Sequence, residues 1–187
     1  MEGKRLIHNT IQTNRLILRK MNKNDVNALF TIWSDPNVTK YMNIEGFSQI
    51  EQAEEMISIL SDLAEKNEAI RYTIFEAKTN IIIGSCGFNT LDFKNETAEV
   101  GYDLDSGFWN KGYGTEAVKG LIDYAFHQLQ FKKIEAKVDP NNIPSIKLLL
   151  KLDFILEGKL KDKEGQSNDL NLYTKYLLDD QRKFPIS

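Results

Sequence analysis

One cysteine, four prolines and two histidines are all that 187 residues hold of three types that often betray chemistry. Cys86 has no partner for an internal disulfide, and its place in an apparent strand suits inert packing. His8 and His127 have no metal-ligating company at ligand spacing, so no metal is expected and both read as surface residues. No apolar run approaches the ~20 residues of a membrane span. The opening MEGKRLIHNT lacks the apolar core of a signal peptide. A formal charge of −3 leaves no basic excess, which argues against nucleic acid as a partner. Repeats, linkers and low-complexity stretches are missing as well. What is present, 41% hydrophobic and 27% charged residues, is ordinary globular composition with enough length for a large core. A single domain over 1–187 and a cytoplasmic location are the expectations.

The most informative stretch is EVGYDLDSGFWNKGYGTEA, Glu99 to Ala117. Val100, Tyr102 and Leu104 alternate with Glu99, Gly101 and Asp103, which predicts a strand. A turn follows, and Thr115 to Phe126 then carries Ala117, Val118, Leu121, Ile122, Ala125 and Phe126 along one helical face. A glycine-rich turn opening a helix gathers unpaired N–H groups and the positive end of the helix dipole. That arrangement suits phosphate or pyrophosphate. The plainer reading is a tight turn that needs glycine and nothing more. Two familiar phosphate motifs do not fit. Seven residues separate Leu104 from Gly112, too many for the dinucleotide fingerprint, and no G-K-[ST] occurs.

Around this stretch the periodicity predicts a strand over Arg15 to Lys20 and a helix capped by Asn24-Asp25 and running to about Trp33. Asp35-Pro36-Asn37 stops that helix. Ser48 to Glu51 has capping-box spacing, with a helix continuing to about Glu65. Ile70 to Glu76 and Ile81 to Leu91 read as a hairpin. Lys133 to Val138 is a strand and Ile143 to Leu152 a short helix. Phe154 to Leu160 and Asn171 to Leu178 are two strands around a charged turn, Lys161 to Ser167.

A second constellation, Asp139-Pro140-Asn141-Asn142-Ile143-Pro144-Ser145, opens that short helix. Asn142 is a good N-cap and Pro144 suits the first turn, so capping alone would explain it.

Together these features resemble the GNAT superfamily of acetyl-CoA-dependent N-acetyltransferases. Its pyrophosphate loop, [QR]-x-x-G-x-[GA], is matched in its second half by Gly112-Tyr113-Gly114. Trp109 replaces Gln or Arg, as in the ribosomal-protein N-terminal acetyltransferase branch, whose loop reads W-G-K-G-Y-[AG]-T-E-A. Trp109 to Ala117 differs from it mainly by Asn110 for Gly, and Asn tolerates a left-handed backbone. The branch also opens with T-x-R-L-x-L-R, D-x-x-x-L and D-P-x-V-x-x-Y-M, matched at Thr13 to Arg19, Asp25 to Leu29 and Asp35 to Met42. Its N-x-x-S before a helix and L-G-F is matched by Asn142, Ser145 and Leu152-Asp153-Phe154, with Asp153 for Gly.

The resemblance covers about 13–178 and implies the mixed α/β GNAT fold, an α+β arrangement. That is a mostly antiparallel twisted sheet of about seven strands, four helices and a splayed parallel pair that holds CoA. It implies acetyl-CoA as cosubstrate, with no metal. The amides of Lys111, Gly112, Tyr113, Gly114 and Thr115 would take the pyrophosphate. Backbone groups of Tyr102, Asp103 and Leu104 would hold the pantetheine arm, which Asn142 would also contact. Ser145 would protonate the departing thiolate.

For acetyl transfer, Glu99 is the candidate to draw a proton from the amine, through water. In a regular strand it shares a face with Gly101 and Asp103, and a bulge nearby would change which face meets the cleft. A solvated sheet position is its plainer reading, as a solvated side chain is for Lys111. Trp33, Tyr41 and Met42 could line an acceptor pocket, though ordinary core packing is their plainer reading.

Direct attack in a ternary complex is expected, most simply on the α-amine of a protein or peptide. The alternatives are a small amine, such as a polyamine or aminoglycoside-like compound, and a non-catalytic CoA-binding sensor. The chain could act alone or as a homodimer.

Overall fold

Short apolar runs of period two form eight strands, and the computed structural model describes them within residues 7–42, 44–161 and 169–178. The strands are β1 (Thr10–Gln12), β2 (Leu16–Lys20), β3 (Ile70–Glu76), β4 (Ile81–Asp92), β5 (Thr97–Leu104), β6 (Lys133–Val138), β7 (Ile155–Leu160) and β8 (Leu170–Tyr176). They form one sheet in the order β1-β2-β3-β4-β5-β6-β8-β7. Every neighbouring pair is antiparallel except β5 and β6. The helices are α1 (Val26–Trp33), α2 (Pro36–Thr39), α3 (Ile50–Glu65), α4 (Tyr113–His127) and α5 (Ile143–Lys151). No helix among the described residues is long and apolar enough to cross a membrane.

This is the expected mixed α/β fold, with one strand and one helix more than the sequence suggested. Strand β1 is only three residues and α2 only four, too short for periodicity to reveal. Asp35-Pro36-Asn37 does end α1, but Asp35 also caps α2 by accepting from the Asn37 amide at 2.9 Å. Three expected boundaries shift. Asn22, not Asn24-Asp25, caps the 3₁₀ turn that leads into α1. The capping box of α3 is Gln49 with Gln52, one residue later than Ser48 with Glu51. Helix α4 begins at Tyr113, ahead of Thr115. The charged turn at 161–167 lies, from 162 onward, outside the described residues.

Burial divides the sheet into two faces. Leu16, Leu18, Tyr72, Ile74, Cys86, Phe88, Ala98, Val100 and Leu104 meet α4 and α5 in the larger core. Cys86 is fully buried there, and loss of solvation pushes its thiol up to about 12, so it is inert packing. On the other face α1 and α3 form a smaller core around Leu29, Trp33 and Ile57. Polar side chains lie buried beneath them, including Asp25, Thr73, Ser85 and Asp103.

Both departures from family glycines occupy left-handed backbone: Asn110 at φ 59° and Asp153 at φ 62°. Asp153 ends α5 with a strongly exposed carboxylate whose only ion pair among the described residues, to Lys175, spans 3.5 Å. Such a pair contributes little. Asp153→Gly should therefore raise stability by about 0.5–1 kcal/mol, the relief of an L-residue at positive φ less the added freedom of the unfolded chain. The urea midpoint reads it directly, and an unchanged or lower midpoint contradicts it.

Candidate active site

Gly112 is the N-cap of helix α4, and its φ of 80° and ψ of 2° lie in the left-handed region that glycine enters without cost. No side chain caps this N-terminus, so its first amides are left as donors, as an anion site requires. Gly114 also answers a packing need. It is buried, and a Cβ there would lie 3.1 Å from the Tyr102 ring and 3.2 Å from Leu148. The glycine lets the helix start press against β5 and α5; its missing side chain faces the core, not the anion. Trp109 folds back so that its indole N–H donates to the Leu104 carbonyl at 2.9 Å. That engages the carbonyl of one of the three residues expected along the pantetheine. Lys111 is exposed, and its ammonium donates to the Gly107 carbonyl at 2.7 Å. Thr115 sits half-buried in the first turn.

The loop is fixed from outside by a pair that the sequence did not single out. Glu116 accepts from the Thr13 hydroxyl at 2.6 Å, the Arg15 amide at 2.6 Å and the Arg15 Nε at 2.7 Å. The Arg15 guanidinium also donates to the Lys111 carbonyl at 3.0 Å and lies 4.4 Å over the Tyr113 ring. The branch pattern contained both residues, in T-x-R and T-E-A, but nothing local in sequence says that they meet.

Strands β5 and β6 pair only from Thr97 to Glu99 against Lys133 to Glu135, and then part. A cavity of about 510 Å³ lies at the split. Val118 and Leu149 line it from one side of the sheet, and Trp33, Met42, Met56 and Leu60 from the other, so it crosses the sheet. Glu99, Tyr102, Asp103, Asn142 and Ser145 all line it, whereas Leu104 and Lys111 to Thr115 do not. Tyr102 connects the two regions, since its ring touches Gly114 and its hydroxyl lies 3.1 Å from Ser145 Oγ. Asn142 caps α5 by accepting from the Ser145 amide at 3.2 Å, so the capping reading holds and the side chain still lines the cavity. Burial raises the Tyr102 phenol's pKa and the Ser145 bond offsets this only in part, so it stays protonated.

Glu99 does face the cavity. A bulge exists, but in β4 at Asn89, between the Phe88–Val100 and Thr90–Glu99 pairs. Strand β5 keeps its alternation, and Glu99 and Asp103 project beneath α1 and α3. The extra residue points its amide at Glu99, with Nδ2 3.1 Å from Oε1. Lys137 Nζ lies 2.6 Å from the other carboxylate oxygen. Asp103 is spoken for: it accepts from Arg71 at 2.7 Å, Ser85 at 2.5 Å and Trp33 at 3.3 Å. Arg71 also donates to Asn89 Oδ1 at 3.1 Å, which joins Asp103 to Glu99 in one polar floor. Asn89, Arg71 and Lys137 were not anticipated, because their meeting depends on strand register. Trp33, Tyr41 and Met42 all line the cavity, and Trp33 is also buried in the core. The two histidines stay outside it, exposed.

A family model described as an acetyltransferase (GNAT) domain matches residues 15–155. The chain is similar to p20 of Bacillus licheniformis, an uncharacterized N-acetyltransferase. The two are 50% identical over 155 residues, 83% of this chain and 87% of that protein. The ribosomal-protein-serine acetyltransferase of Escherichia coli K12 is 32% identical over 118 residues, 62% of this chain and 65% of its own. Among solved structures, RimL, a ribosomal L7/L12 alpha-N-protein acetyltransferase in complex with coenzyme A, aligns with a TM-score of 0.81. It covers 90% of this chain and 98% of its own at 22% identity, a likeness of fold alone.

Burial would raise the Glu116 pKa, but the bonds from Thr13 and Arg15 and the Arg15 charge outweigh it and hold the group below its ordinary 4.5. A depressed carboxylate contributes stability above its unfolded pKa and loses it as pH falls through the folded value. The loop should therefore hold down to about pH 4.5 and loosen below it. Arg15→Ala should weaken acetyl-CoA binding about ten-fold and cost about 1–3 kcal/mol of stability, the loss of charge-assisted bonds to a partly buried partner. Calorimetry and urea unfolding check both. Unchanged affinity would show that the pair does not shape the loop.

Proposed function

We propose an acceptor for this enzyme from one premise: the chain belongs to the GNAT acetyltransferase family, and it is an N-acetyltransferase. The acceptor is the α-amine of a protein or peptide, and the donor is acetyl-CoA, whose thioester supplies the activated acetyl group. In this reading the uncapped amides from Gly112 to Thr115 hold the pyrophosphate. The stretch of β5 beyond Glu99, Tyr102 and Asp103 included, has no β6 partner and can take an extended arm alongside it. Tyr102 and Ser145 lie at the far end of that path. Both are proton donors, and one of them hands a proton to the departing thiolate. Asn142 keeps Ser145 in place through the helix cap. Glu99 accepts the amine's proton, directly or through one water. A cytoplasmic setting accompanies this reading, with Cys86 kept as a thiol.

The observation that carries the choice of acceptor is the composition of the cavity. Glu99 is its one acid not tied to arginine or to a turn, since Asp103 is bound to Arg71 and Asp139 accepts from the Asn141 amide at 2.7 Å. Facing it are Trp33, Tyr41, Met42, Ile44, Met56 and Leu60. A polyamine or aminoglycoside presents several cations, and among the described residues this wall offers them no carboxylate beyond Glu99, which itself pairs with Lys137. An α-amine has a pKa near 7.7–8.0 against about 10.4 for a lysine side chain, so roughly a tenth of it is already neutral at pH 7. One carboxylate suffices for such an acceptor. The named activity of the similar ribosomal-protein-serine acetyltransferase supports the same reading.

Two measurements test it. Short peptides with free N-termini should turn over at least about ten-fold faster than N-terminally blocked peptides carrying lysine, and faster than spermidine, in line with the protonation difference. The reverse order would move the assignment to small amines. Ser145→Ala and Tyr102→Phe should each lower kcat by roughly ten- to a hundred-fold with donor affinity nearly unchanged, the scale of a lost proton donor. Unaltered kcat in both would remove the hydroxyl pair from the mechanism.

A further inference from the structure

Glu99 is already in contact with an amine, and that amine belongs to the protein. Lys137 lies on β6 two residues beyond Glu135, the last residue paired with β5, so its side chain reaches across the opening where the strands part. Its Nζ stands 2.6 Å from Glu99 Oε2. Among the described residues it is the one lysine lining the cavity, which it shares with Tyr102 and Ser145. The neighbouring lysines are engaged elsewhere, Lys133 with Glu135 at 2.7 Å and Lys111 with the Gly107 carbonyl at 2.7 Å. The Lys137 side chain is 39% exposed, so its end can swing within the cleft.

We propose that Lys137 is a self-acetylation site, modified by the enzyme's own acetyl-CoA in the absence of an acceptor. This rests on the reading above, in which the thioester reaches the β5–β6 split and Glu99 serves as base. The ammonium of Lys137 gives one proton to the Glu99 carboxylate. The neutral amine attacks the thioester carbonyl carbon, so a C–N bond forms as the C–S bond breaks. The nitrogen then loses a second proton, which makes good the one that Tyr102 or Ser145 gives to the thiolate, and free CoA thiol leaves. The proton on Glu99 passes to solvent. An ammonium surrenders a proton to a carboxylate only rarely, so the step is slow. Tethering offsets part of that penalty, because an amine held in the cleft acts at a high effective concentration.

The modification also changes the site. An acetylated Lys137 carries no charge and cannot pair with Glu99. The carboxylate then keeps only its bond from Asn89 and stands open to an incoming ammonium. In the unmodified chain, Lys137 and the acceptor compete for the same oxygen.

The test incubates the full chain with acetyl-CoA and no acceptor, follows intact mass, and maps the acetylated residue by proteolysis. One acetyl group per chain should appear at Lys137 at least ten times faster than at any other lysine. Glu99→Gln should slow it roughly a hundred-fold, the scale of general-base assistance. Lys137→Arg should abolish it, and a urea-unfolded chain should show no preference for Lys137. Acetylation spread over the exposed lysines, or an unmodified Lys137 in a chain that acetylates peptides, overturns the inference and leaves the proposed function standing. A chain that binds no acetyl-CoA by calorimetry overturns both.

Discussion

The contact on which the site depends is the Glu116 carboxylate among Thr13 and Arg15. A glycine-led turn has many conformations open to it, and an N-terminus without a side-chain cap does nothing to select one. Glu116 restricts the choice from within the first turn of α4. Through Arg15 it reaches the Lys111 carbonyl and the Tyr113 ring, so both ends of the turn are tied to the approach to β2. The carboxylate is near enough to the helix start to be favoured by its dipole. It leaves the amides themselves free. The turn is thus tied by side chains while its own amides stay available.

A second constraint lies in the sheet. Parallel pairing of β5 and β6 stops at Glu99, and the extra residue Asn89 sits in β4 beside that point. A bulge strengthens local twist, which suits strands that part. It also aims Asn89 at the carboxylate nearest the split. The same irregularity therefore stands beside both the opening and the group at its mouth. Behind it, Arg71 links Asn89 to Asp103, and Asp103 is fully occupied by Arg71, Ser85 and Trp33. Buried charge is costly unless paired, and here the pairing is complete.

Much of this was legible in the sequence, because the relevant signals were local. Alternation located β3 to β6, helical spacing located α3 to α5, and the second motif, Asn142 and Ser145, marked residues that line the cavity. The positive φ at Asn110 and Asp153 accords with the family glycines they replace. The branch pattern turns out to be a record of contacts. Thr13 and Arg15 bind Glu116, Arg19 binds Asp25 at 2.5 Å, Leu16 and Leu18 are buried, and Asp35 accepts from Ser106 at 2.9 Å. What stayed hidden was every pairing set by register across strands. Asn89 with Glu99, Arg71 with Asp103 and Lys137 with Glu99 join residues of unremarkable surroundings. A single shift in alignment would send each side chain to the opposite face. The inward direction of Gly114 was hidden for the same reason, since only tertiary packing decides which way a helix start turns.

The two walls of the cavity belong to different kinds of structure. The polar floor is built on central strands, where each side chain is held by several others. Tyr41, Met42 and Ile44 come instead from the connection between α2 and α3, whose ties include the Phe47 amide to the Trp33 carbonyl at 3.0 Å. Substitutions in that connection would recontour that wall of the cavity while the polar floor on the sheet kept its arrangement. On the proposed reading, chemistry and selectivity would sit on separable segments, so that a duplicated copy of such a chain could acquire a new acceptor by drift in one short connection.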